Sequence, residues 1–326
     1  MNRLDVKDKR IIYELDVNSR QPNSEIARKV GLSKQVVGFR IKRLVDLQII
    51  SSFYTIIDIS KLGFTVHKIF LKLQNIDKEK ELELIKYLKN NPDVVWVASC
   101  DGEFDLSLGT QAKNIEHLDR TLKELNKKFG EYISERQIAT ILKGEYFIRD
   151  YLISKKEKGN FRKSFFGAVP SSAELDDTDW RILLELGKNS RTSAVEIAQI
   201  IGISADSIGK RIKQLEKSGV IKHYNIVPNE AKYPYIHYKI LVGLKNISEE
   251  REKILIEYCR INPNVVYVVK ALGSWELEID MEVENAEQFR RIMMDIKTEF
   301  KDIIRDYSSL LIYQVHKYNF CPSIKD

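Results

Sequence analysis

Apolar residues recur every three or four positions in three stretches near the start of the chain, at 7–17, about 24–30 and 33–47. That period keeps one helix face apolar and predicts three short helices. In the third, Val37, Ile41 and Leu44 stand at i, i+4 and i+7, and Ser33 precedes them where a hydroxyl caps free amides. Gly31 marks the turn before it. A helix, a tight turn and a capped helix form the helix-turn-helix pattern. The strand-like "IISSFYTIID" (49–58) follows and would supply a wing, so residues 1–60 read as a winged helix-turn-helix.

Beyond residue 64 the period changes. Strand-like 67–73, a helix at about 78–90, strands at 94–100 and 104–110, a helix at about 114–128 and a strand at 132–142 give the order βαββαβ over 64–148. This is a ferredoxin-like sandwich of sheet and helices. Residues 149–173 break the periodicity and are rich in Lys, Arg, Gly and Ser. They read as a linker, whose basic run Lys155, Lys156, Lys158, Arg162 and Lys163 is a solvated connector.

The whole arrangement then returns at an offset of 171 residues. "GLSKQVVGFRIKRL" (31–44) recurs as "GISADSIGKRIKQL" (202–215), and between residues 4 and 50 the two copies share 21 of 47 positions. The match runs without a gap to Phe129/Phe300, which points to tandem duplication. A second winged helix-turn-helix is expected at 174–230 and a second ferredoxin-like unit at 235–320. The fold class is α+β, with two such repeats.

Composition narrows the function. With 43% hydrophobic and 31% charged residues the chain has an ordinary globular make-up. No apolar run approaches the roughly 20 residues of a membrane-spanning helix, and the N-terminus lacks the apolar core of a signal peptide, so a cytoplasmic protein without a membrane partner is expected. Cys100, Cys259 and Cys321 lack metal-ligand spacing and read as free buried thiols; neither metal nor cofactor is expected. A net charge of +6 and a pI near 8.9 suit an anionic partner. The first copy is the more basic: residues 1–60 hold eleven Lys or Arg against seven Asp or Glu, whereas 172–228 hold eight of each.

Rotating about 100° per residue from the buried stripe places Gln35, Phe39, Lys42 and Arg43 outward on the third helix, with Arg40 on its flank and Ser33 and Lys34 at its start. The second copy offers Ser204, Asp206, Ser207, Lys210, Arg211 and Lys213. Such a face is often merely solvated, but the third helix of this motif is the one that enters the major groove of double-stranded DNA. Arg40, Lys42 and Arg43 suit phosphates and guanine edges, Gln35 adenine, and Phe39 a thymine methyl. Asp206 repels phosphate but can accept from cytosine N4.

The order carried by Leu4, Asp5, Asp8, Ile11, Leu15, Asn18, Arg20, Glu25, Ile26, Ala27, Gly31, Leu32, Ser33, Val37, Arg40, Ile41 and Leu44, followed by βαββαβ and repeated once, resembles the Lrp/AsnC regulators over nearly the whole chain. The resemblance implies a sequence-specific DNA-binding transcriptional regulator. It also implies a fused dimer, able to assemble further, whose second domain takes an amino acid or related metabolite. The family's effector signature resembles Gly102-Glu103-Phe104-Asp105, which implies effector contacts at Gly102, Phe104 and Asp105, and at Gly273, Trp275 and Glu276 in the second copy. Either carboxylate anchors an amino group or bonds the neighbouring backbone, and Glu276 is the longer by one methylene. Siroheme decarboxylases share this layout, but their histidine-cysteine-tyrosine-arginine type motif has no counterpart at 97–105 or 268–276. His67, His117, His223, His237 and His316 form no local cluster, so no enzyme is expected. An effector-independent architectural DNA protein is the third reading.

Overall fold

A computed structural model describes residues 4–153, 164–167 and 170–321. The first half opens with α1 (Val6–Val17), α2 (Asn23–Val30) and α3 (Lys34–Asp46). Strand β1 (Ile50–Ile57) follows, and then β2 (Thr65–Leu73), α4 (Lys78–Asn90), β3 (Val94–Asp101), β4 (Leu106–Ala112), α5 (Ile115–Phe129) and β5 (Ile133–Tyr146). A short strand β6 (Ser164–Phe166) precedes the second half: α6 (Asp177–Lys188), α7 (Ala194–Ile201), α8 (Ala205–Lys217), β7 (Ile221–Pro228), β8 (Ile236–Leu244), α9 (Glu249–Ile261), β9 (Val265–Gly273), β10 (Leu277–Val283), α10 (Ala286–Glu299) and β11 (Ile304–Tyr318). The basic run of the connector lies outside the described residues. Arg149 and Leu152, at its start, are buried.

Local chemistry sets these boundaries. Asp5 and Asp8 form a reciprocal capping box at α1, repeated by Asp176 and Asp179 at α6. Ser33 accepts from the Val36 amide and Ser204 from that of Ser207, capping α3 and α8. Gly31 and Gly202 end α2 and α7 in the left-handed conformation that a tight turn requires.

The strands expected as wings pair with each other. β1 runs antiparallel to β7, centred on Tyr54 opposite Asn225, so each half supplies one strand of a two-stranded sheet. After β1 the chain enters a short 3-10 turn (Ile59–Lys61) and leaves for β2, so its edge is closed by the counterpart from the other half.

Strands β3-β4-β2-β5 and β9-β10-β8-β11 form two ferredoxin-like sheets. The ends of β5 and β11 cross over, β5 to β9 and β11 to β3, with register shifts inside those pairings at Ile141/Lys143 and Ile312/Gln314. Such bulges bend a strand away from its own sheet. The two sheets thereby close into one barrel of eight strands. Ile69, Leu71, Leu106 and Leu108 face α4 and α5, and Ile240, Val242, Leu277 and Ile279 face α9 and α10. The alternate residues of every strand point into the barrel.

Candidate nucleic-acid interface

On α3 the structure separates two groups of side chains that helical rotation alone merges. Lys34, Gln35, Phe39 and Lys42 are exposed, Phe39 by 68%. Arg40 instead donates to Asp5 (2.7 Å) and Asp8 (2.8 Å), and Arg43 donates to Asp8 (2.6 Å), whose side chain is buried. Burial alone would raise the Asp5 carboxyl, but the Arg40 bond and the Asp8 amide outweigh it and hold it below its usual range. Arg211 repeats this with Asp176 and Asp179, at 2.8 Å each. The guanidiniums assigned to phosphate and guanine therefore fasten α3 to α1 and α8 to α6.

This changes the charge comparison. At the exposed face α3 offers Lys34 and Lys42, the latter paired with Asp46 (2.6 Å); α8 offers Lys213 and Lys210, the latter paired with Asp206 (2.8 Å). The greater basicity of the first copy largely vanishes from its reading surface. The contrast that persists is Gln35 and Phe39 against Asp206 and Lys210. Ser33, Ser204 and Ser207 are spent on the helix starts, where the two hydroxyls of the second copy meet at 2.8 Å.

The two motifs are locked about a pseudo-twofold axis by residues repeated in both copies. Ser19 Oγ meets Ser190 Oγ at 2.6 Å. Arg20 donates to the Ser190 and Thr192 carbonyls (2.8 Å to the latter), and Arg191 donates to the Ser19 carbonyl and to Asn23 Oδ1 (2.8 Å). The Ser19 amide bonds Tyr224 O and the Ser190 amide bonds Phe53 O, while Arg20 lies over Tyr224 and Arg191 over Phe53. Each residue touches the partner of its own counterpart, as in an isologous dimer interface.

Residues 4–45 match the model of the AsnC-type helix-turn-helix domain, and 175–222 that of winged helix-turn-helix DNA-binding. HTH-type transcriptional regulator FL11 of Pyrococcus furiosus is 30% identical over 44% of this chain and 92% of its own. The chain belongs to the Lrp/AsnC family. It is a DNA-binding transcriptional regulator. The leucine-responsive regulatory protein of Rhizobium meliloti is 29% identical over 44% of this chain and 92% of its own. The crystal structure of the siroheme decarboxylase NirDL superposes with a TM-score of 0.60 over 98% of this chain and 94% of that one, at 16% identity, a likeness of fold alone.

In this Lrp/AsnC chain the two signature turns stand at strand ends inside each half and beside the crossing strands. Asp105 accepts from the Leu73 amide (2.7 Å) and lies 3.3 Å from Lys72, and Glu276 accepts from the Leu244 amide (2.6 Å). Both carboxylates thus bond the backbone at a strand end, and the extra methylene of Glu276 reaches the equivalent amide. Gly102 (φ 130°) and Gly273 (φ 155°) leave room for the crossing strands. A Cβ there would stand 2.9 Å from Ser309 O and 2.5 Å from Ile138 O. Phe104 and Trp275 are buried against Phe70 inside the barrel, with ring centroids 5.6 and 4.9 Å away.

The barrel interior also holds a charge network that the sequence reading missed. Arg149 donates to Glu282 (2.8 and 2.9 Å) and to Asp16 at the end of α1. Burial alone would raise Glu282; the Arg149 charge outweighs it and holds Glu282 below the usual carboxylate range. Lys239 donates to Glu278 (3.2 Å) and Asp280 (2.7 Å), and His237 lies 2.8 Å from Asp280. His237 is thus part of a buried charged cluster. Asp280 sits 43 residues away on the adjacent strand, which local spacing cannot show. The signal was "LEIDMEV" (277–283), which puts three carboxylates on one strand face where the first half has Ser107, Gly109 and Gln111.

Among the described residues the network occurs once. The Phe147 amide donates to Val266 O and the Asn319 amide to Val95 O, so Cys321 stands where Arg149 does, and Gly187 takes the place of Asp16. A Cβ on Gly187 would lie 2.9 Å from that of Cys321. Cys100, Cys259 and Cys321 are buried thiols outside any disulfide, each pushed up to about 12 by burial.

Proposed function

We propose that this chain is a two-headed reader in which α3 contacts DNA through Lys34, Gln35, Phe39 and Lys42 and α8 through Asp206, Lys210 and Lys213. In this reading 1–60 and 174–230 are the reading units, and 64–148 and 235–320 together form their common support. Arg40, Arg43 and Arg211 position the helices from behind, and Gly102, Phe104, Asp105, Gly273, Trp275 and Glu276 keep the barrel shut. The observation that carries the proposal is a division of labour. Side chains identical in the two copies, such as Asp8/Asp179 and Arg40/Arg211, are spent on internal bonds, whereas Gln35/Asp206 and Phe39/Lys210 are exposed and differ. Lys42/Lys213, identical and exposed, suits phosphate, which is the same in every sequence.

Regulation is favoured over catalysis by what the histidines do. His67 bonds Thr140 (3.0 Å), His223 the Asp16 carbonyl (2.9 Å) and His316 Ser99 (2.8 Å), each a contact within the fold. Acting on chromosomal DNA places the protein in the cytoplasm. Mobility-shift titration over a range of salt tests the reading. Neutralising a phosphate contact lowers the slope of log affinity against log salt by about one unit. Lys42→Ala and Lys213→Ala should each do so while leaving the melting temperature unchanged; unaltered slopes in both variants would refute the assignment. A tetrapyrrole absorbance co-purifying with the protein would instead support the decarboxylase reading.

A further inference from the structure

Inside the barrel, between the apolar plug around Phe70 and the tyrosines beneath β1, lies a cavity of about 60 Å³. Its walls include Lys68, Lys239, Trp96, Tyr267, Phe166 and Phe320, together with Asp280 and His237, which are bonded to each other. Phe166 forms one wall because the facing residue on β5 is Gly144; a Cβ there would stand 2.1 Å from the ring. Lys68 is 7% exposed, its ammonium lies 4.1 Å from the centre of the Trp96 ring, and it has no hydrogen-bond acceptor among the described residues. Lys239 faces the same indole from 5.5 Å.

A buried ammonium without an acceptor is costly. The nearby carboxylates do not meet the need, because Glu278 and Asp280 are both bound to Lys239 and Asp280 also takes His237. Glu230 lies 3.8 Å from the other ring nitrogen of His237. Burial, together with the charge of Lys239, lowers Lys68 to about 8, so it is still largely protonated at neutral pH. Of the two ammoniums over one aromatic ring, Lys239 holds both carboxylates and Lys68 has no bonded counter-charge among the described residues. A water molecule can accept from Lys68 but cannot offset the repulsion.

We propose that this cavity is a binding site for a small monoanion, a carboxylate or inorganic oxyanion of three or four heavy atoms, held by Lys68 and Lys239 over Trp96. The size follows from the volume: a cavity of about 150 Å³ takes a benzene ring, so this one takes formate, acetate or nitrate. The site lies apart from the signature turns and from the DNA-reading helices, so it is tested without DNA and stands or falls independently of the reading assignment.

The experiment is thermal melting of the full chain in sodium formate, acetate or nitrate. Sodium gluconate, too large for the cavity, holds the ionic strength constant. The melting temperature should rise with anion concentration and level off, by about 3 °C or more at saturation. Lys68→Met removes the unpaired charge, should melt no lower than the native protein, and should lose the response. If that variant fails to fold, broadening of the [1-¹³C]acetate signal by the native protein, reversed by unlabelled formate, reports the same binding. No rise beyond gluconate together with no broadening, or an equal rise in Lys68→Met, would overturn the proposal.

Discussion

Arg40 shows how a side chain can be read correctly for its position and still be bonded to partners that the position does not reveal. Rotation about α3 places it on the flank of the exposed face, but rotation carries no information on what packs beside the helix. The repeat does carry it: Asp5, Asp8 and Arg40 all recur unchanged as Asp176, Asp179 and Arg211, while their exposed neighbours diverge. For this triad, identity in both copies accompanies internal fastening. The consequence is measurable. Arg40→Ala should lower the stability to urea by about 1–2 kcal/mol, because hydrogen bonds to charged groups contribute that much and Asp8 keeps Arg43. Well below the melting temperature its DNA affinity should stay within about threefold of native, a far smaller loss than that expected from a base-edge contact. Lys42→Ala should do the reverse, with stability changed by less than about 0.5 kcal/mol. A tenfold loss of affinity in a fully folded Arg40→Ala protein would return that residue to the DNA.

Secondary structure was largely legible because it rests on local signals: the 3.6-residue period, the serine and aspartate caps, and the glycine turns. Pairing was not. β1 and β7 lie 171 residues apart, and the ends of β5 and β11 leave their own sheets at bulges that alternation does not reveal. The buried face of β10 was hidden for the same reason. Alternating acidic and apolar residues normally mean one face in water, but barrel closure buries the acidic face of β10 with Lys239, His237 and Arg149. Its titration should be visible in stability. Burial alone would lower His237, but its bonds to the Asp280 and Glu230 carboxylates outweigh that and raise the imidazole to about 9. In the folded state it therefore holds its proton above the ordinary histidine value near 6.5. The stabilisation is fully present below that value and is lost as pH rises through 9. Urea denaturation of the native protein and His237→Gln at pH 6 and pH 9 should show a gap, at most on the order of 3 kcal/mol, that narrows at the higher pH. A gap that is constant or widens would show that His237 is neutral in the fold.

At the level of the whole molecule, duplication within one chain frees the two readers from the identity that a homodimer imposes. The pseudo-twofold contact through Ser19, Ser190, Arg20 and Arg191 fixes where the two helix-turn-helix units sit, while under the proposed assignment Gln35, Phe39, Asp206 and Lys210 would decide what each one reads. A symmetric dimer selects a palindrome; this chain should select two dissimilar half-sites at the spacing a symmetric dimer would use. The sharpest difference is Phe39, an exposed ring suited to a thymine methyl, against Lys210, a cation tied to Asp206. Replacing thymine by deoxyuracil removes that methyl and leaves the hydrogen-bonding edge unchanged. Selection from random DNA, followed by single deoxyuracil substitutions across the preferred site, should then find a sensitive position in one half-site only. The loss there should be roughly three- to tenfold, the worth of one buried methyl group. Phe39→Ala should bind the native and substituted sites alike, since the contact is already gone, while Lys210→Ala should keep the full sensitivity. A palindromic preferred site, with equal deoxyuracil effects in both halves that persist in Phe39→Ala, would mean that the two helices read the same bases despite their different surfaces.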